Sequence, residues 1–260
     1  MRVSVVVEQG WDPTSIEVGP AGGVDWSRAV AVPVPGSLEA LELALGLGEA
    51  RVLGHGLATV EDLLRTCLAL GAAGVARAPD LFAVAAALRS EAPDLVLTAH
   101  RSADHGAGVT GPMLAGLLDL PQATAAESLR VEGGEAVAIR RLDRGEREEV
   151  AVPLPAVVAV EPGIVRPRAA TPAALLAARS APVPLLPAAA PTARARLRGQ
   201  GPPRPAPPRL AAPDPSLPAE GRIAAIVGTA AGTARRELVT GSPDEVADRI
   251  FRFLAERGYV

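Results

Sequence analysis

Two hydrophobic rhythms share the first 120 residues. Short apolar runs recur at residues 2–7, with Val3, Val5, Val6 and Val7, and again at residues 51–55, 75–77 and 95–97. Each suits a strand buried on both faces of a parallel sheet. Between them, apolar residues return every three or four positions, the period of a helix with one buried face. Leu38, Leu41, Ala44 and Leu45 follow Ser37, which reads as an N-cap. Val60, Leu63, Leu64, Cys67, Leu68 and Leu70 follow Thr59-Val60-Glu61-Asp62, a capping box with Asp in place of Glu, and Gly71 closes that helix. Leu81, Val84, Ala85 and Leu88 mark a third helix over residues 80–89. Strand and helix alternate throughout, which predicts an α/β fold with a parallel sheet covered by helices.

The rhythm changes after residue 120. Residues 128–131, 136–141, 148–154 and 156–160 all read as extended and are joined by short turns such as Gly133-Gly134, which predicts an antiparallel annex. A small Ala/Leu helix is expected over residues 172–178. Residues 181–222 form a Pro/Ala/Arg-rich arm with too little apolar content for a core. A strand is expected at residues 223–227. The last helix begins with Ser242 as N-cap, Pro243 in the first position and Glu245 in the third, a full capping box. Val246, Ile250, Phe251 and Leu254 give it an apolar face. Three parts follow: an α/β domain at 1–180, the arm at 181–222, and a C-terminal strand and helix at 223–260.

Composition narrows the function classes. Of 260 residues 48% are hydrophobic but only 2% aromatic, so the core is built from Ala, Val and Leu. The net charge is −3, and the chain contains neither Lys nor Asn. No nucleic-acid partner is expected from that balance. Cys67 is the single cysteine and falls on an apolar helix face, where it reads as a core residue. No intramolecular disulfide is possible, no signal peptide is read at the start, and no apolar run reaches the length of a membrane span. A cytoplasmic protein is expected.

Candidate chemistry concentrates in residues 94–124. Leu95-Val96-Leu97 reads as a strand, and a loop of small and polar residues follows, carrying His100, Arg101, Ser102, Asp104 and His105. Thr110 is expected to cap a helix that has Pro112 in its first turn and ends at Pro121. Strand, polar loop and helix N-terminus is the arrangement in which open α/β sheets hold phosphate-bearing ligands. Main-chain N–H groups near Gly106, Gly108, Val109 and Thr110 are suited to a phosphate. Asp104 suits a ribose hydroxyl or an Asx-type turn. His55 and His100 read first as loop or core residues, and His105 as a loop residue able to reach a phosphate. Three His and one Cys do not cluster as metal ligands, and no catalytic triad is present. Gly228 to Gly232 lacks the Lys that a P-loop requires.

Taken together, Arg65-Thr66-Cys67-Leu68-Ala69-Leu70-Gly71-Ala72, the Ser102-x-Asp104 loop running into Thr110-Gly111-Pro112-Met113-Leu114-Ala115, Leu120-Pro121-Gln122 and Val152-Pro153-Leu154-Pro155-Ala156-Val157-Val158 resemble the electron transfer flavoprotein β subunit, including its FixA-like branch. The resemblance runs in order over residues 1 to about 180 and resumes at Gly241-Ser242-Pro243. It implies an adenine nucleotide alpha hydrolase-like, Rossmann-related fold. It also implies a heterodimer with an α subunit that carries most of an FAD, while the β subunit covers the flavin and binds AMP, or a second FAD in bifurcating members. Such a pair accepts electrons from a dehydrogenase and passes them to a quinone reductase or another acceptor. The β subunit is not an enzyme by itself.

Carried over by position, the nucleotide site draws on Glu8 and Gln9, on residues 34–37 with Pro35 and Ser37, on the His55 turn, and on residues 99–110. The chain departs from the family at several of these. Val34-Pro35 stands for Asn-Pro, Val109 for a Gln, and Glu8-Gln9 for a Lys-Arg pair. Pro13 stands where the family often has an aromatic beside the flavin, with Trp11 as the available substitute. Thr171-Pro172 replaces Leu-Pro in the segment that recognises dehydrogenases, with Arg179 as its only cation. These departures imply a specialised member serving an unusual dehydrogenase, and they leave AMP and a second FAD open. A flavin-free regulatory module of the same fold is the alternative reading. An enzyme with its acid or base in the central loop is a third.

Overall fold

A computed structural model describes residues 1–18, 24–56, 59–101, 106–189, 216–227 and 240–256. The chain divides into two units, Met1–Ala195 and Arg196–Val260. In the first, β1 (Arg2–Trp11) is followed by β2 (Glu17–Val18), β3 (Val24–Asp25) and β4 (Ala31–Pro33). Helices and strands then alternate: α1 (Ser37–Leu47), β5 (Glu49–His55), α2 (Val60–Leu70), β6 (Gly74–Ala78), α3 (Leu81–Glu91), β7 (Leu95–Ala99) and α4 (Thr110–Leu118). The unit continues through β8 (Gln122–Glu132), β9 (Glu135–Arg141), β10 (Arg147–Pro153), β11 (Ala156–Val160) and α5 (Pro172–Ala178).

One nine-stranded sheet runs in the order β10-β9-β8-β11-β7-β1-β5-β6, with β4 paired to the end of β1. The five contacts from β8 to β6 through β11, β7, β1 and β5 are parallel; β8–β9, β9–β10 and β1–β4 are antiparallel. The period-2 alternation of strand side chains divides the core into two layers. Val5, Val7, Val52, Leu97 and Val158 pack with Leu41 of α1 and with Leu64 and Cys67 of α2. Val6, Leu53, Val96 and Val157 pack on the opposite layer with Val84 and Leu88 of α3 and Leu114 of α4. Burial of the Cys67 thiol pushes it up to about 12, so the group is an inert apolar filler.

Several elements differ from the sequence reading. The antiparallel annex stops short of β11. That strand lies between β7 and β8, parallel to both, and all five of its residues are buried. Its short link to β10 suggested a hairpin, but a strand apolar on both faces belongs in the middle of a covered sheet. The Glu8-Gln9-Gly10-Trp11 stretch is not a loop; it extends β1, because Glu8 pairs with His55 of β5 and β4 supplies an antiparallel ladder to Gln9, Gly10 and Trp11. Ser37 is not the cap of α1. Gly36, at φ 96°, holds that place, and its N–H donates to the Glu39 carboxylate at 3.1 Å. Thr110 is likewise the first helical residue, behind Val109. Thr59 makes no capping bond; its hydroxyl donates to Gln9 Oε1 at 2.8 Å.

The start of the arm is also structured. Arg77 N–H donates to the Pro184 carbonyl and Leu186 N–H to the Arg77 carbonyl, so this stretch pairs with the outer edge of β6 and covers it. Residues 190–215 of the arm, and the Gly228–Gly232 stretch, lie outside the described residues.

In the second unit, α6 (Ala219–Val227) replaces the expected strand. Its β-branched Ile223 suggested an extended run, but the Ala-rich segment begins directly after Pro218, whose carbonyl accepts from Arg222 N–H. The final helix, α7 (Pro243–Ala255), has the full Ser242–Glu245 capping box.

Candidate functional site

The carboxyl ends of β11, β7, β1 and β5 lie side by side in that order. From β1 the chain passes through α1 to β5 and through α2 to β6, outward on one side. Helix α3 then delivers β7 to the other side of β1 and covers the opposite face. The winding therefore reverses between β1 and β7, and a crevice at such a reversal is where open α/β sheets bind ligands.

A cleft of about 250 Å³ occupies that crevice. Glu8 and Gln9 from β1 form one wall, joined by Val34, whose N–H is held by the Glu8 carbonyl at 3.0 Å. Ala99, His100 and Arg101 form the floor beyond β7, and residues 107–110 form the wall leading into α4. Among the described residues no side chain caps α4, and its first residues lie on the cleft wall, where a helix N-terminus favours an anion. Gly108 makes the close approach possible. Its φ is +62°, and a Cβ there would lie 3.1 Å from the His100 carbonyl oxygen. Backbone donors at a helix start, with Arg101 lining the same cleft, suit a phosphate group.

A row of alternating carboxylates and imidazoles crosses the strand ends: Glu161, His100, Glu8 and His55. Glu8 and His55 are register partners, with Oε1 and Nε2 3.3 Å apart. His100 Nε2 lies 3.7 Å from Glu161 Oε1. Burial lowers the His100 pKa, Glu161 opposes that, and the positive charges of Arg101 and Arg140 add to it. His100 is therefore neutral near pH 7. Three buried polar atoms among the described residues make no hydrogen bond: Ser37 Oγ, His55 Nε2 and His100 Nδ1. Of these only His100 belongs to a residue that lines the cleft; His55 Nε2 faces Glu8, and Ser37 Oγ is buried at the start of α1. Among the described residues no group of three or more His, Cys, Asp or Glu is arranged for a metal ion.

The predicted residues divide clearly. Glu8, Gln9, Gly108, Val109 and Thr110 line the cleft. His55 stands behind Glu8, and Ser37 is buried at the start of α1. Pro35 is exposed while its neighbour Val34 makes the wall, and Gly106 lies just before the lining residues. Trp11 turns to Trp26, with ring centroids 5.6 Å apart, and is not part of the cleft. Ser102, Asp104 and His105 lie outside the described residues. His100 and Arg101, named in the central loop without a specific role toward a ligand, line the floor of the cleft.

A family model described as the electron transfer flavoprotein domain matches residues 26–191. The chain belongs to the electron transfer flavoprotein β-subunit family. It is 30% identical over 175 residues to the electron transfer flavoprotein subunit beta of Syntrophomonas wolfei, covering 64% of this chain and 69% of that one. It is 34% identical over 142 residues to the probable electron transfer flavoprotein subunit beta of Schizosaccharomyces pombe, covering 51% and 56%. The corresponding subunit of Sus scrofa is 35% identical over 129 residues, covering 45% and 50%. The chain thus spans a little over half the length of the Schizosaccharomyces relative it matches. The matched region of this electron transfer flavoprotein family member includes β7, α4 and β11, hence the floor of the cleft and the wall leading into α4.

Proposed function

We propose that this chain is the β subunit of a heterodimeric electron transfer flavoprotein, an electron-carrier subunit without catalysis of its own. The observation that carries the reading is the cleft at the β1–β7 reversal, with the uncapped α4 terminus on one wall and Arg101 on its floor. That arrangement suits a nucleotide held as a structural ligand, and AMP is the ligand we assign to it. An α subunit would hold most of an FAD, which when bound supplies the one- and two-electron chemistry. This chain's residues would anchor the nucleotide and cover one side of the shared site.

Two other surfaces support the reading. On α5, Leu175 and Leu176 are exposed beside Arg179, the segment we assign to dehydrogenase recognition. On α7, Ile250 and Phe251 are exposed at 52% and 62%, and we assign this apolar face to the α subunit. Electrons would leave to a quinone reductase or another acceptor. No helix among the described residues is long and apolar enough to cross a membrane. A cytoplasmic setting is our assignment, consistent with a single cysteine in the chain.

Co-expression with an α subunit, followed by an absorbance scan and analysis of the nucleotides released on denaturation, tests the proposal. One FAD per heterodimer together with AMP is the expected result. FAD without AMP would leave the carrier role and remove AMP from the cleft. A flavin-free chain that forms no complex would sink the proposal in favour of a regulatory module.

A further inference from the structure

Strand β8 takes in extra residues where it runs beside the end of β11. Against β11 the register passes from Val158–Ala123 to Val160–Ala126, and against β9 from Arg140–Ala126 to Ile139–Ser128. The first bulge contains Ala125, buried and at φ 57°, an uncommon conformation for a residue with a side chain. Arginines of the annex hold both bulges. Arg140 of β9 places a fork on Thr124: Nε donates to the carbonyl at 3.0 Å and Nη2 to the hydroxyl at 3.1 Å. Its Nη1 donates to Glu148 of β10 at 3.3 Å. Arg147 Nε donates to the Glu127 carboxylate of the second bulge at 2.7 Å.

The first bulge reaches the cleft in two steps. Glu161 N–H donates to the Ala126 carbonyl at 2.9 Å, which anchors the residue just past β11. The Glu161 carboxylate then lies 3.7 Å from His100 Nε2, with the two side chains 14% and 13% exposed, so water screens this contact little. His100 lines the cleft; Arg140 does not.

We propose that Arg140 is a positioning residue for the cleft: by locking the β8 bulge it holds the Glu161 carboxylate against His100, and so governs the charge of the imidazole on the cleft floor. This role is independent of which ligand the cleft holds. The charged groups around the ring are Glu161 past β11, Arg101 past β7 and Arg140 of β9, with Glu8 of β1 next along the row and facing His55. Burial lowers the His100 pKa, Glu161 raises it, and Arg101 and Arg140 lower it. Loosening Glu161 therefore withdraws the group that favours the proton.

The test is an NMR titration of the His100 imidazole in the full chain, assigned with His100→Gln, in the wild type, Glu161→Gln and Arg140→Lys. Lysine keeps the charge but cannot place a planar fork on both Thr124 oxygens. Glu161→Gln is expected to move the midpoint to lower pH. Arg140→Lys is expected to move it in the same direction, and to speed exchange of the Glu161 amide about tenfold or more. A charge felt only through space predicts no movement, because lysine is as positive as arginine. If Arg140→Lys does not fold, Thr124→Val keeps Arg140 and removes one of the fork's two acceptors, with the same direction expected. A midpoint that stays at the wild-type value or rises in a folded variant overturns the role of Arg140, whether or not the variant has lost stability. A Glu161→Gln midpoint that does not fall overturns it as well.

Discussion

Glu8 Oε1 and His55 Nε2 meet at 3.3 Å across the β1–β5 ladder, where the two residues are register partners. The cleft's acidic wall is therefore set by strand pairing, which is stiffer than a loop. The same pairing explains why a histidine that does not line the cleft still belongs to its architecture.

Gly108 should tolerate no side chain. Alanine there must hold φ +62° with its Cβ 3.1 Å from the His100 carbonyl oxygen, a conformational cost of roughly 1–2 kcal/mol. Gly108→Ala is expected to lower Tm by a few degrees and to weaken AMP binding by about tenfold or more. A thermal melt and a titration check both. Unchanged affinity would remove this backbone turn from the site.

Leu97 is fully buried at the middle of β7. Leu97→Ala is expected to destabilise the first unit by about 2–5 kcal/mol, read as a lower urea midpoint.

His100 should make stability depend on pH. Burial holds its pKa below the ordinary 6.5, so between 6.5 and the lowered folded value the unfolded chain binds more protons. The contribution is fully present above pH 6.5 and is lost as pH falls through the folded value. Glu161 works against this shift, and Arg101 and Arg140 work with it. Urea midpoints measured from pH 7.5 down to 5 should fall, and His100→Gln should flatten the decline. Parallel curves for the two proteins would contradict the assignment.

Cys67 should not react while the protein is folded. With its thiol buried and pushed up to about 12, a thiol reagent at pH 8 should label it only at the rate of unfolding. Rapid labelling of native protein would place Cys67 at an accessible site.

If α7 holds the α subunit, a chain truncated after Pro218 should lose heterodimer formation, as should Phe251→Asp in the full chain. Co-purification with a tagged α subunit measures both. A complex recovered at wild-type yield from the truncated chain would remove α7 from the interface.

What could be read from the residues alone was local. β-branched runs and helical spacing announced β1, β5, β6, β7 and the helices α1 to α4, because each side chain's preference acts within a few residues. The Ser242–Glu245 box and the core position of Cys67 were legible for the same reason. Pairing partners were not. Gln9-Gly10-Trp11 became strand because β4, some twenty residues on, supplied a ladder, and Glu8 because it pairs with His55 of β5. β11 became a central strand because burial on both faces outweighed its short link to β10. The reversal of winding between β1 and β7, and with it the row from Glu161 to His55, depends on pairings between residues far apart in the chain, such as Val3 with Leu95 and Glu8 with His55. Local propensity names the elements, but long-range burial and strand pairing choose their order, and that order placed the cleft.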